Sequence, residues 1–469
     1  MFGGWLTSTF VLPGGIQAAP PPQILRNAYK MRRRWWRLLL KLFMYSTAIV
    51  CALALLMISI TGDYWKPSSV SAPSFSLSLQ YSLRPHNATF KHRIKDTFKH
   101  RIKDTFKHRI KDASGATITI TELLLPEGSA SLEERAQLLP EQISNATVSP
   151  LLLMWDVDFG NNLRGCADWN CRVTRDRKRL RDADAVFFTA VPEDVQPLGH
   201  QYFVHYSQES PVHSLYGSAD QPFNMSFGFR MDTPAASPYG FAARLAFESE
   251  PKIEFWHKTV NESISGKRKA MAWFVSNCGA PSGRNWVADE LQRHGVQVDV
   301  FGTCGTLSCP KGPSCHRMLD RDYFFYFAAE NSICKDYLTE KIWDQGLGSL
   351  TVPVILRRSV GQHLLPPNSF IAVDDFASVA KLADYLTALV DNTDQYLYEY
   401  FRWRANFAAV PLNSLTDPMA ERLFGVCQVC RLTRLKRRPT ARLSAPWHLC
   451  CEQSGQLINE LKGRPAATD

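Results

Sequence analysis

The chain has 469 residues, a length that suits two or three domains, and 45% of them are hydrophobic, ample for real cores. The formal net charge is +10, yet the excess gathers in Arg32–Lys41, in basic repeats within 91–111 and in Arg431–Arg438, so it does not define the partner of the folded part. Twelve cysteines in a chain of this size exclude a disulfide miniprotein and fit a few bridges in an oxidising lumen, given a membrane signal.

Such a signal is present. Residues 1–41 read as a cytosolic tail without clear periodicity. Leu42–Thr61 is an uncharged apolar run, long enough to span about 30 Å of hydrocarbon. Arg32, Arg33, Arg34, Arg37 and Lys41 precede it, and only Asp63 and Lys66 follow closely, which predicts a cytosolic amino end and a lumenal remainder. A cleaved signal peptide is the weaker reading, because the run is long and begins far into the chain. Residues 62–149 read as a disordered stem, rich in Pro, Ser and polar residues. Within it Thr89–Asp96, Thr97–Asp104 and Thr105–Asp112 all read TFKHRIKD. The repeat is expected to lengthen a solvated tether, and its lumenal placement argues against nucleic acid as a partner.

The folded part is predicted to begin at Pro150, with a first domain over 150–262 and a second over 263–425, followed by a Cys-containing tail over 426–469. Leu151–Trp155, Ala185–Ala190 and Tyr202–Tyr206 read as strands and Arg175–Arg181 as a charged helix, which together suit a Rossmann-like half with parallel strands. Asp156-Val-Asp158 follows the first strand. Two carboxylates there would suit a divalent ion on a pyrophosphate, but the tripeptide is short and frequent by chance. Cys166 and Cys171 have the spacing of half a zinc site, and no His–Cys cluster follows them. Glu209, in Ser207-Gln-Glu-Ser-Pro211, stands just past a strand end, where a carboxylate can take a proton from a hydroxyl nucleophile. Asn87, Asn145, Asn224 and Asn261 are N-glycosylation sequons.

The second half opens with a strand over Ala270–Ser276 and a Gly/Pro loop ending at Arg284. A helix over Trp286–His294 and a strand over Val296–Phe301 follow. Arg284 is a cation at a helix start, suited to bidentate phosphate contact. Cys309 and Cys315 flank a loop. Tyr323–Phe327 is an aromatic strand, Glu330-Asn331-Ser332 a polar turn, Ile342–Leu347 a helical pattern and Val352–Ile355 a second strand. In such a βαβ unit the turn lies at the carboxyl edge of a parallel sheet, and the helix amino end and Lys341 suit an anion. Ser369–Val373 is a further strand, and Phe376–Val390 and Tyr396–Phe407 are helices. Cys427, Cys430, Cys450 and Cys451 close the list of cysteines.

The combination Glu330-Asn331-Ser332, Asp336-Tyr337-Leu338-Thr339-Glu340-Lys341 and Val352-Pro353-Val354 resembles the donor-binding signature of the α1,3-fucosyltransferase family. Glu209-Ser210-Pro211 is similar to its acceptor-side signature, and Ser276-Asn277-Cys278 with Arg284 to another of its motifs. Phe223–Arg230 is similar as well but departs at Gly228 and Phe229. The resemblance covers roughly 150–400. It implies a GT-B fold, with two Rossmann-like domains facing across a cleft, GDP-fucose as donor, inversion at the anomeric carbon and no required metal. It also implies Glu209 as general base, with Arg284, Asn331, Tyr337, Glu340 and Lys341 around the donor. The implied acceptor is GlcNAc of glycoprotein glycans. The tail cysteines favour the core-type branch over the outer-arm, Lewis-type one, and the implied location is the Golgi membrane. Two alternatives are a sugar-binding relative without turnover and a metal-dependent transferase using Asp156 and Asp158.

Overall fold

The computed structural model describes residues 106–112, 115–136, 149–157, 163–214, 222–233, 235–247, 260–309, 312–412, 418–435 and 450–463. Residues 1–41, expected as a cytosolic tail, the expected span Leu42–Thr61 and the first two octapeptides lie outside the described residues. No helix among the described residues is long and apolar enough to cross a membrane.

The first strands correct the expected disordered stem. β1 (His108–Lys111) comes from the third octapeptide and pairs antiparallel with β2 (Thr117–Leu123), His108 opposite Ile120. β1 buries His108 and Ile110 and exposes Arg109 and Lys111, the period-two alternation of a strand with one wet face. The basic composition hides that alternation in the sequence. A short helix, α1 (Leu132–Ala136), also falls within the expected stem and buries Leu132, Arg135 and Ala136.

Two parallel sheets follow. The first holds β3 (Leu151–Met154), β4 (Arg172–Thr174), β5 (Ala185–Phe188), β6 (Tyr202–Ser207) and β7 (Met225–Gly228) in the order β4-β3-β5-β6-β7. The second holds β9 (Lys269–Phe274), β10 (Val298–Phe301), β11 (Tyr323–Phe327), β12 (Val352–Ile355) and β13 (Ile371–Ala372) in the order β10-β9-β11-β12-β13. Both have the doubly wound order 2-1-3-4-5. β3, β5, β7, β11 and β12 are buried at every position, as strands covered on both faces must be. Each fully buried Phe or Val there contributes about 1.5–3 kcal/mol. A third, antiparallel sheet runs β1-β2-β8-β14, with β8 (Gly240–Leu245) and β14 (Phe407–Pro411).

The helices differ from expectation in four places. The charged segment is a 3-10 helix over Arg177–Asp182, preceded by β4. Lys341–Gly346 is a π-helical turn rather than an α-helix. The aromatic helix ends at Tyr400, and Phe407 opens β14 instead. The region expected as a tail supplies a core helix, α3 (Val426–Arg434), buried along its whole length. Its Val426, Val429 and Leu432 join the cluster of Leu152, Phe187 and Val204 beneath the first sheet. Cys427 and Cys430, three apart on one helix face, form disulfides with Cys166 and Cys171. Cys278–Cys304, Cys309–Cys315 and Cys334–Cys451 are the other bridges among the described residues.

Candidate active site

In a sheet of order 2-1-3-4-5 the crevice opens where the chain reverses direction across the sheet, between the first and third strands. In the second sheet that point lies between β9 and β11, and the loops after these two strands carry Arg284 and Glu330–Lys341. The loop after β9 ends at Gly283, whose φ of 81° is the left-handed conformation that glycine adopts readily. α2 (Arg284–Arg293) starts on the next residue. Arg284 is 2% exposed. Its Nη1 donates to Ala329 O at 3.0 Å and its Nη2 to Asn277 O at 2.6 Å. Ser282 Oγ donates to Glu330 O at 2.7 Å and Ser282 N to Asn331 O at 3.3 Å. The two loops are thus laced together through Arg284 and Ser282.

Each terminal nitrogen of Arg284 holds a carbonyl with one of its two N–H groups, which fixes the guanidinium at this edge. Burial lowers its pKa, the nearby Glu330 charge opposing that. Arg284 Nε, Asn285 Oδ1, Asn331 Oδ1 and the Tyr326 hydroxyl are buried polar atoms with no hydrogen-bond partner among the described residues. Such atoms normally find a partner, and here they flank one sheet edge.

Lys341 stands at the start of the π-helical turn. Its Nζ lies 2.8 Å from Thr339 Oγ1, 3.1 Å from Glu340 Oε1 and 3.1 Å from Glu330 Oε2. Burial works to lower the Lys341 pKa, but the charges of Glu330 and Glu340 outweigh it and the net direction is upward. Burial raises the Glu330 pKa despite Lys341 and the hydrogen bonds from Thr339. Glu340, by contrast, is held below its ordinary value, since Lys341 overcomes the burial effect. The six-residue turn is too short to supply the expected helix dipole, so the amino end of α2 is the helix terminus at this edge.

The first sheet contributes the segment after β6. Glu209 is exposed, and its Oε2 accepts from the Tyr337 hydroxyl at 3.1 Å and from Asn331 Nδ2 at 3.4 Å. The next residue repeats the pairing: Ser210 Oγ lies 2.8 Å from Ser332 Oγ, in a buried contact. Asp336 Oδ2 accepts from Met231 N at 3.0 Å, and Asp232 Oδ2 lies 2.9 Å from Lys335 Nζ. The carboxyl edges of the two sheets therefore meet, with Glu209 on one side and Asn331 and Tyr337 on the other.

The departures at Gly228 and Phe229 have local causes. A Cβ on Gly228 would lie 2.1 Å from Ser207 O, its partner across the β6–β7 pair. Phe229 packs edge-on against Tyr337 with ring centroids 4.7 Å apart, which steadies the ring whose hydroxyl reaches Glu209.

Of the other sequence candidates, Asp156 is occupied by Thr189, whose N–H and hydroxyl both donate to its carboxylate. Asp158, Asn87 and Asn145 lie outside the described residues. Asn261 is exposed. Asn224 uses its amide internally, accepting from Phe203 N at 3.0 Å and donating to Gln201 O at 3.4 Å. Sequence reasoning did not single out Glu330, Ser210 or Ser332 as site groups. Glu330 belongs to the donor-side motif, but only the fold shows that its carboxylate is buried against Lys341.

Residues 147–240 match the profile "Fucosyltransferase, N-terminal" and residues 264–445 match "Glycosyltransferase family 10 (fucosyltransferase) C-term". The chain is 40% identical over 348 residues to the Caenorhabditis elegans alpha-(1,3)-fucosyltransferase fut-1, covering 72% of this chain and 78% of that protein. It is 34% identical over 282 residues to the Drosophila melanogaster alpha-(1,3)-fucosyltransferase C, covering 54% and 66% of the two chains. It is 36% identical over 277 residues to the human 4-galactosyl-N-acetylglucosaminide 3-alpha-L-fucosyltransferase FUT6, covering 54% and 73%. The crystal structure of an alpha1,3-fucosyltransferase with GDP-fucose overlays with a TM-score of 0.42 at 18% identity, covering 66% of this chain and 96% of that one. The chain belongs to the glycosyltransferase family 10 fucosyltransferases. It is accordingly an enzyme of glycosyl transfer.

Proposed function

We propose that this enzyme is an inverting α1,3-fucosyltransferase of GT-B architecture that carries fucose from GDP-fucose to a GlcNAc hydroxyl of glycoprotein glycans. The observation that carries this reading is the convergence of Glu209 from one sheet with Asn331 and Tyr337 from the other. One direct displacement follows. Glu209 takes the proton of the acceptor hydroxyl as its oxygen bonds to the fucose anomeric carbon. The bond from that carbon to the phosphate oxygen breaks, and its electron pair leaves with GDP. Lys341, the amino end of α2 and the buried Arg284 form a fixed positive edge for the departing diphosphate, with Glu340 positioning Lys341. Two basic side chains and a helix terminus can do here what a metal ion does elsewhere, so activity should survive EDTA.

The acceptor is the proximal GlcNAc of the N-glycan core. Outer-arm GlcNAc is the second reading, and the resemblance to FUT6, named for a galactosylated GlcNAc acceptor, speaks for it. The catalytic part faces the Golgi lumen behind a single type II anchor at Leu42–Thr61. Five disulfides among the described residues suit that oxidising compartment. The test is to incubate the full chain in detergent with GDP-fucose and a panel of core and outer-arm N-glycans, then locate added fucose by mass spectrometry. Transfer to the proximal GlcNAc is the expected result. Transfer only to outer arms selects the second reading, and no transfer with any acceptor overturns the assignment.

A further inference from the structure

The segment from Cys450 to Gly463 lies beyond residue 445, where the family match ends, yet it touches both loops of the donor edge. Cys451 is bridged to Cys334, between the site residues Asn331 and Tyr337. On either side of the bridge, Lys335 N donates to Cys450 O at 2.8 Å and Glu452 N to Ile333 O at 2.8 Å. The chain then crosses to the other loop, where Gly455 N lies 3.4 Å from Pro281 O. It continues as α4 (Gln456–Gly463). Ile458 covers Gly283 so closely that a Cβ there would come within 2.8 Å of Ile458 Cγ1. Leu457 and Leu461 are buried in the cluster that holds Val287 and Leu291 of α2. Arg357 ties down both ends of the segment, with Nη2 donating to Glu452 at 3.0 Å and Nη1 to Glu460 at 2.7 Å.

We propose that residues 450–463 form a strap that positions the donor edge. The strap fixes the spacing between the Pro281–Arg284 loop and the Ser332–Tyr337 turn, and hence sets affinity for the nucleotide sugar. Among the described residues its disulfide, its hydrogen bonds and its ion pairs to the rest of the chain fall on the half that carries Arg284 and Lys341, while Cys450 and Cys451 also pack against the cluster of Phe229, Cys334 and Tyr337. None of those bonds is made to Glu209 or to the rest of the segment 207–211, so the effect should fall on the donor and not on the acceptor. The proposal rests on the fucosyltransferase reading above.

The test uses the full chain, with GDP affinity by calorimetry, KM for donor and acceptor separately, and Tm. Cys451→Ser alone is unsuitable, because Cys450 Sγ lies 3.7 Å from Cys451 Sγ and its thiol stands ready to replace the lost partner. The variants are therefore Cys450→Ser/Cys451→Ser, which removes the bridge, and Ile458→Ala, which keeps the bridge and thins the packing on Gly283. Loosening the geometry should raise GDP Kd and donor KM together, about 10-fold in the first variant and about 3-fold in the second, with acceptor KM unchanged. Should the double variant not fold, Ile458→Ala decides alone. A fall in Tm and in active fraction with both KM values and GDP Kd unchanged would make the strap a structural staple only and overturn the proposal. Absence of GDP binding by the unaltered chain would remove the fucosyltransferase reading along with it.

Discussion

The Glu209 carboxylate and the Tyr337 hydroxyl stand 3.1 Å apart, although 128 positions separate them in sequence and each follows a strand of a different sheet. The contact aims the carboxylate across the meeting line of the two sheets. Glu209→Gln keeps the size of the side chain and removes its basicity. Transfer should drop about 100-fold or more while GDP affinity stays within twofold. Tyr337→Phe keeps the ring against Phe229 and loses only the hydroxyl, so its rate loss should be smaller, about tenfold. Steady-state transfer with parallel GDP calorimetry measures both, and near-normal transfer by Glu209→Gln removes this residue from the role of base.

Lys341 faces two carboxylates, one of them buried, so its removal should affect folding as well as chemistry. Lys341→Met leaves Glu330 buried without its cation, a change that costs about 3–5 kcal/mol when such a pair is broken. The pH dependence has a definite sign. Burial raises the folded-state pKa of Glu330, and loss of Lys341 raises it further. A carboxyl with a raised folded-state pKa contributes stability that is present at low pH and lost as pH rises through that pKa. The Tm deficit of Lys341→Met should therefore shrink as pH falls from neutral into the acid range, and a deficit independent of pH would contradict the ion-pair account.

Lys267 is a buried cation of another kind, away from the site. Its Nζ donates to Leu319 O at 3.1 Å and Tyr323 O at 2.5 Å, and burial pushes its pKa down to about 7 from 10.5. Between those two values the unfolded chain holds a proton that the folded chain lacks, so this residue makes stability rise with pH across that window. Chemical denaturation from pH 7 to 10 should show Lys267→Met losing that slope. Equal slopes in the two proteins would refute the depressed pKa.

Two bridges join the same pair of elements, Cys166–Cys427 and Cys171–Cys430, with sequence separations of 261 and 259. Once one is closed, the other shuts only a short residual loop. Removing either alone should cost only about 2.5 kcal/mol, and removing both about 8 kcal/mol, well above the sum of the two single losses. Thermal melts of Cys427→Ala, Cys430→Ala and the double variant test this non-additivity, and simple addition of the two single losses would contradict it.

The sequence made parts of this site readable because they are local. The aromatic run of β11, the polar turn after it and the Val-Pro-Val strand are contiguous, and a motif that binds at a sheet edge carries its own strand. Glu209 was readable for the same reason. What escaped is set by distant partners. The burial of Glu330 depends on Lys341 and Thr339 across the turn. The aromatic segment after Tyr396 has helical spacing throughout, yet Phe407 pairs with Arg244 of β8 and becomes a strand. Arg284 was rightly placed at a helix start, but nothing local says that its guanidinium would hold two carbonyls. The pairs Cys166–Cys427 and Cys171–Cys430, separated by more than half the chain, have no local sequence signal.

β1 has a consequence for how this gene product can vary. Its four residues, HRIK, recur identically at 92–95 and 100–103, and only the turn after the third copy, where Asp112 N donates to Ala116 O, sets that copy apart. With one copy more or fewer, whichever copy stands last would present the same imidazole, the same isoleucine and the same outward charges to β2 beside the same turn. Gain or loss of a whole copy therefore alters only the reach of the chain ahead of the enzyme, leaving the edge of the fold chemically unchanged.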